Sequence, residues 1–279
     1  MQLKRAHLAA LFLLLGASSV PRWVDRRPDA GEVELVYLAN EGFLVRSSER
    51  AFVIDAFLET PLGQYAALPP ALHAKLASAE APFVNVDLAL VSHVHPDHFQ
   101  AASARAFLAA SHETELATSP QVIASLEEVL DDGEPSEAIR ERLHSFLPEA
   151  GETLAFEHRD IEVAFLRLPH SGNRPAIQNL GHLIQFEGRT ILHVGDAEGD
   201  AALYEPYGLG EVEIDVALLP YWYWSSPAGR RLVRDQLSAE TLVAVHVPPR
   251  EVPGLVDGLA EAEADVHVFR EPLERLLID

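Results

Sequence analysis

Apolar and polar positions along the chain fall into two blocks of the same kind. Apolar runs over 33–38, 42–45, 51–55 and 87–92 are short and rich in Val, Ile, Leu and Phe, which predicts strands. Segments 70–79, 100–110, 120–130 and 136–146 instead repeat apolar residues at helical spacing. Pro70 and Pro120 stand near helix starts, and Gly133-Glu134-Pro135 separates the last two. The second block opens with strands over 153–157, 161–168, 180–186, 190–194 and 216–219, with Gly188 marking a hairpin turn. Helix 228–237, strand 241–246, helix 252–262 and strand 266–269 complete it. Strands followed by helices, twice over, predict an α/β fold of two mixed sheets face to face with helices outside.

The chain has 279 residues, 48% of them hydrophobic, ample for a large core. No Gly/Ser linker, repeat or low-complexity tract divides it. The first residues read differently from the rest. Lys4 and Arg5 precede an apolar run from Leu8 to Leu15, and Ala17 and Ser19 are the small residues a signal peptidase needs. A signal peptide over 1–19, an extension over 20–31 and a domain over 32–279 are expected, with the mature protein exported to a periplasmic or extracellular space; an uncleaved N-terminal anchor is the alternative. The apolar run is too short for a comfortable membrane span. The formal net charge of −22 disfavours nucleic acid, because phosphate binding requires clustered Lys and Arg. No cysteine is present, which excludes disulfides, thiolate ligands and a Cys nucleophile.

The candidate chemistry lies just after the apolar run 87–92. His93-Val94-His95-Pro96-Asp97-His98 packs four potential metal ligands into six residues. Imidazoles two apart on an extended backbone project to one side, so His93 and His95 can grip one cation. Pro96 turns the chain, leaving Asp97 and His98 to face a second. His170, Asp196 and His246 each follow an apolar run and so sit at strand ends, where a site is held rigidly. Imidazole and carboxylate without thiolate suit zinc, manganese or iron.

These residues resemble the metallo-β-lactamase superfamily. His93, His95, Asp97 and His98 match its H-x-H-x-D-H signature, Asp55 its earlier strand-end aspartate, His170 and His246 its two later histidines, and Asp196 its bridging aspartate. The similarity runs from about 32 to 279. It implies a four-layer αββα sandwich with metals at one sheet edge. It also implies two divalent cations, zinc first and manganese or iron next: one on His93, His95 and His170, the other on Asp97, His98 and His246, with Asp196 between. Within the superfamily the chain is similar to ascorbate-6-phosphate lactonase-like and N-acyl phosphatidylethanolamine phospholipase D-like proteins, although Ala56 stands where Pro is common.

The resemblance implies a hydrolase in which metal-bound hydroxide attacks an ester, lactone, amide or phosphodiester of a small or lipid-like substrate. Asp97 would also orient the hydroxide, and Asp55 would fix a ligand's rotamer from behind. In Pro220-Tyr221-Trp222-Tyr223-Trp224, the tyrosines are candidates for an oxyanion hydroxyl and Trp222 and Trp224 for a substrate wall; a packed loop is the competing reading. Arg174, four residues past His170, is the candidate for an anionic substrate group. His182 and His193 read as core histidines. Two other classes stay open: a mononuclear iron thiol dioxygenase-like enzyme and a non-catalytic metal-binding protein.

Overall fold

Two seven-stranded sheets carry the molecule, and each is built the same way. The computed structural model describes residues 29, 31–133, 135–262 and 264–278. The expected signal peptide over 1–19 lies outside the described residues, as does nearly all of the extension. No helix among the described residues is long and apolar enough to cross a membrane.

The first sheet contains β1 (Val33–Ala39), β2 (Gly42–Arg46), β3 (Ala51–Ile54), β4 (Leu88–Leu90), β5 (Glu115–Thr118) and β6 (Leu143–Ser145). The second contains β7 (Thr153–His158), β8 (Ile161–Arg167), β9 (Leu180–Phe186), β10 (Arg189–His193), β11 (Ile214–Pro220), β12 (Ala239–Val245) and β13 (His267–Val268). The last strand, β14 (Arg275–Ile278), returns to pair antiparallel with β1 at the edge of the first sheet. In each sheet the early strands are antiparallel hairpins and the later ones parallel: β3 to β6 in one, β10 to β13 in the other.

The central strands, such as β3, β4, β10 and β11, are covered on both faces, which explains why they read as nearly continuous apolar runs, whereas β7 stays largely exposed. Leu35, Phe43, Phe52, Ile54 and Leu90 of the first sheet pack between the sheets against Phe165, Ile184, Ile191, Val216 and Val243 of the second. The alternate residues Val36, Leu44, Val53 and Ala89 face outward, where α1 (Pro70–Ala77), α2 (Ala101–Ala110) and α3 (Pro120–Glu127) deliver Leu72, Leu76, Phe107, Val122 and Leu126. A shorter helix, α4 (Ser136–Arg140), adds Ile139. Leu192, Ala217 and Leu219 face outward on the second sheet. They meet Tyr204 of α5 (Ala201–Tyr204), Tyr223 of α6 (Trp222–Ser225) and Leu232 of α7 (Pro227–Gln236). The last helix, α8 (Val252–Glu261), lies beyond β12. The result is the four-layer αββα sandwich.

One predicted element is corrected. The helix expected over 136–146 stops at Arg140, and Leu143–Ser145 becomes β6. The parallel edge of β5 needs hydrogen-bond partners, and the carbonyl of Arg142 accepts from Leu116 N at 2.9 Å. The Arg142 guanidinium is tied down by the carbonyls of Leu108, Ser111 and Thr114. Phe146 then stacks on Phe165 across the core, with ring centroids 4.4 Å apart. Tertiary pairing outweighs the local helical spacing.

Candidate metal centre

The candidate ligands gather at one edge of the sandwich, each just beyond a strand. Asp55 follows β3, His93 to His98 follow β4, His170 comes soon after β8, Asp196 after β10 and His246 directly after β12. Ligand sites in open α/β sheets form at such carboxyl ends of strands. Asp55 and His246 both adopt left-handed backbone, with φ of 43° and 60°. Non-glycine residues hold that conformation where surrounding structure over-determines it, as functional sites do. Gly195 (φ 57°) is required by a close approach: a Cβ there would lie 2.5 Å from Asn179 Oδ1 and 2.7 Å from Ser92 Cβ.

The donor atoms form two groups that meet at one carboxylate. His95 Nδ1 lies 3.0 Å from both His93 Nε2 and His170 Nε2. In the second group, His246 Nε2 lies 3.1 Å from His98 Nε2 and 3.3 Å from Asp97 Oδ2. Asp196 divides its oxygens between them. Its Oδ2 faces the first group, 3.3 Å from His170 Nε2, while Oδ1 faces the second, 3.3 Å from His98 Nε2 and 3.1 Å from His246 Nε2.

Hydrogen bonds behind the rings determine which nitrogens are free. The Ser171 carbonyl can only accept, so His170 Nδ1 donates to it at 2.7 Å and Nε2 keeps its lone pair. His98 Nδ1 donates to Asp55 Oδ2 at 2.8 Å, leaving Nε2 free in the same way. Ser92 Oγ donates to Asp55 Oδ2 at 2.5 Å and therefore accepts from His93 Nδ1 at 3.0 Å, which frees His93 Nε2. Asp55 thus stands behind the cluster, fixing one ring directly and one through a serine, as metal-ligating histidines require. Asn179 ties the strand ends together from the second sheet. Its amide donates to the carbonyls of Leu168 and Val194, and its Oδ1 accepts from Asp196 N at 3.1 Å.

The residues fit divalent metal. Each of the two groups has its donor atoms within 4.8 Å of one another, and all are nitrogen or oxygen. Lone pairs of three imidazoles converge in the first group, an arrangement that repels unless a cation sits among them. Asp196 Oδ1 is buried with no hydrogen-bond partner among the described residues. Burial opposes ionisation of Asp196, but His98 and His246 outweigh it and hold the carboxyl well below the usual range. His98 shows the complementary effect: burial would lower its pKa, yet Asp196 and Asp55 raise it well above the ordinary value. The pocket draws positive charge onto itself. His95 is pushed down to about 4, first by burial and then by His170, so it stays neutral and able to ligate near pH 7.

The aromatic segment divides between wall and core. Trp222 packs on His246 with ring centroids 5.3 Å apart, and its Nε1 donates to the Ala197 carbonyl. Tyr221 and Trp224 line a cavity of about 670 Å³ together with Leu255, Leu259, Arg230 and Arg250. Tyr223 is a correction. It is fully buried, its hydroxyl lies 2.5 Å from that of Tyr204, and it packs against Leu192 and Leu219 rather than facing the metals. The outward face of β10 and β11 needed an aromatic filler, and α6 supplies it. Arg174 stands exposed on the loop after His170 and is not part of that cavity's lining.

Sequence reasoning missed Tyr65, whose ring meets His246 edge-on at 4.2 Å, and Glu41, fully buried with Oε2 3.0 Å from His193 Nε2. His182 and His193 are buried and stacked, as read. Tyr65 sits in a loop between β3 and α1 and carries no periodic or motif signal. Glu41 was visible only as a polar residue in a hairpin turn.

The sequence profile of the β-lactamase superfamily domain matches residues 50–265. The chain belongs to the metallo-β-lactamase superfamily. No curated protein matches the chain. Among solved structures, Igni18, a metallo hydrolase from Ignicoccus hospitalis, is 18% identical, covers 89% of this chain and 99% of its own, and has a TM-score of 0.56. Zinc-bound PqqB from Methylobacterium extorquens is 14% identical over 87% of this chain and 99% of its own, with a TM-score of 0.53. CmlA, a diiron β-hydroxylase from Streptomyces venezuelae, is 17% identical over 90% of this chain and 54% of its own, also at 0.53. At these identities the likeness is one of fold.

Proposed function

We propose that the protein is a dinuclear metal-dependent hydrolase that cleaves an ester, lactone, amide or phosphodiester bond in a small molecule. The observation that carries this reading is Asp196, whose two oxygens face two separate donor groups. His93, His95 and His170 would hold one cation and Asp97, His98 and His246 the other, with zinc preferred and manganese or iron the alternatives. Divalent metal bound there supplies a hydroxide nucleophile at neutral pH and a Lewis acid for the carbonyl or phosphoryl oxygen.

The chain's own residues do the rest. Asp97 is held ionised: His246 and His98 overcome the effect of burial, so its carboxylate is ready to accept a hydrogen bond from the attacking oxygen. Trp222 and Tyr65 shield His246 from bulk water. Tyr221, whose ring meets that of Trp222 at 5.6 Å, also walls a cavity with Trp224, Leu255 and Leu259 that is within the size range of small-molecule sites, although none of the candidate ligands lines it. Arg230 and Arg250 at that cavity, and Arg174 on the loop after His170, are the cations available to an anionic group of the substrate. Export through the N-terminal leader is part of the proposal, supported by Lys4, Arg5, the apolar run after them and the small residues Ala17 and Ser19.

The test is metal analysis of the purified protein together with a panel of chromogenic esters, lactones, amides and phosphodiesters. Hydrolysis that disappears with a chelator and returns with zinc supports the reading. One iron per chain, with oxygen uptake and no hydrolysis, would select the oxygenase class instead. Bound metal with neither activity would select a binding protein.

A further inference from the structure

We propose that the hairpin turn Asn40-Glu41-Gly42 positions the Asp97, His98 and His246 donors selectively, leaving His93, His95 and His170 to other supports. The inference rests on the two-site reading above. Hairpin turns normally lie at the surface, where water satisfies their polar groups. The turn between β1 and β2 is instead buried, with Asn40 2% and Glu41 0% exposed. A buried amide and a buried carboxylate are unfavourable unless specific partners compensate them. The Asn40 amide nitrogen and carbonyl find partners in the second donor group, whereas the Glu41 carboxylate makes no hydrogen bond among the described residues and acts on its neighbours by charge alone.

Asn40 Nδ2 donates to the Asp97 carbonyl at 2.7 Å. The Asn40 carbonyl accepts from His246 N at 3.4 Å, at the point where His246 takes its left-handed conformation. Asn40 is itself left-handed, with φ 52°, a conformation Asn tolerates better than most residues. One residue therefore spans from the loop after β4 to the end of β12 and sets the separation of Asp97 and His246. Glu41 Oε2 lies 3.9 Å from His98 Nδ1, beside the Asp55 carboxylate that accepts that proton, and 3.0 Å from His193 Nε2. Asp55 is the carboxylate that accepts the His98 ring proton and strengthens it as a donor; Glu41 adds a second negative charge behind that pair. Gly42 permits the approach: a Cβ there would stand 2.8 Å from the Asp55 carbonyl oxygen and 3.0 Å from that of Ala39.

The first donor group is held differently. Its rings are fixed by Ser92 and by the Ser171 carbonyl, and the Asp196 and His170 strand ends are tied by Asn179. Two of the turn's neighbours, Asp196 and Asp55, each within 4.8 Å of Glu41, serve both groups, and Asp55 reaches the first only through Ser92. Asn40 and Glu41 are positioning residues, and their loss should separate the two affinities.

The experiment is zinc titration of the full chain and of Asn40→Gly and Glu41→Gln, read as zinc per chain against free zinc. Melting of each metal-free protein is followed in parallel. Asn40→Gly keeps the backbone conformation and removes the amide; Glu41→Gln keeps the shape and removes the charge. The expected result is wild-type uptake of two zinc ions. Each variant should keep one affinity and weaken the other by about 10- to 100-fold. Cobalt loaded to one equivalent should give the wild-type first-site spectrum. Two unchanged affinities in the folded variants, or equal weakening of both, would overturn the proposal while leaving two sites in place. A wild-type protein that saturates at one ion would refute the two-site reading, and this proposal with it. Should Asn40→Gly fail to fold, Glu41→Gln alone decides between these outcomes.

Discussion

The two donor groups meet at Asp196 but lean on the chain in different ways. In the group of His93, His95 and His170, the His93 and His170 ring protons are set by neighbours one residue away, Ser92 and Ser171, with Asp55 behind Ser92. In the group of Asp97, His98 and His246, the supports come from far along the chain. Asp55 is 43 positions from His98, and Asn40 is 57 from Asp97. The first group is the more locally built of the two, and the second depends directly on distant residues. The second should therefore be the more sensitive to changes elsewhere in the fold, and the first the more robust.

The largest expected effect comes from removing what the groups share. Asp196→Ala should abolish uptake of both metals and lower turnover by more than about 100-fold, beyond the ~10- to 100-fold typical of a residue behind a ligand. Retention of two metals by the folded variant would break the bridging assignment. Next, His98→Ala should leave about one metal per chain and sharply reduce turnover while the fold persists. Full activity of that variant on any substrate the wild type hydrolyses would sink the dinuclear mechanism. A smaller effect is expected of Asp55→Asn, which weakens the charge-assisted bond to His98. It should lower affinity at the second position by about 10- to 100-fold and at the first, which Asp55 reaches only through Ser92, by less; an equal loss at both positions would erase the contrast drawn here.

The contrast also explains what could be read in the sequence. The ligand run after β4 was legible because four donors share six residues, and the two-sheet architecture was legible because buried strands leave apolar runs. Asn40 and Glu41 left no such trace. In sequence they are an ordinary polar turn, and only the packing of β1 and β2 against the ends of β4 and β12 buries them. Tyr223 was misread for the related reason that four aromatic residues in a row do not reveal which face each will take; Tyr223 went to the core and Trp222 to His246. The 136–146 segment failed because the free edge of β5 captures Leu143–Ser145, a partner no local window contains.

Two smaller effects sharpen the comparison from outside the donor groups. Tyr223→Phe removes the bonds to Tyr204 and to the Ala197 carbonyl and should cost about 1–3 kcal/mol of stability with turnover nearly unchanged. A large loss of turnover at intact stability would restore that hydroxyl to the catalytic machinery. His182 is held down to about 3, by burial first and then by His193, from an ordinary value of 6.5. Its folded pKa lies below its unfolded one, so the stability it contributes is complete above pH 6.5 and is lost as pH falls toward 3. Chemical denaturation of metal-free protein should show that decline, and His182→Leu should flatten it. An unchanged slope would mean that other groups dominate acid unfolding.

Metal content of the purified, zinc-equilibrated protein, measured with the hydrolysis panel on the same sample, tests the central claim most directly. Two zinc ions per chain, with chelator-sensitive hydrolysis of at least one ester, lactone, amide or phosphodiester, is the predicted result. Saturation at one metal per chain, or two metals with no hydrolysis across the panel, would contradict it.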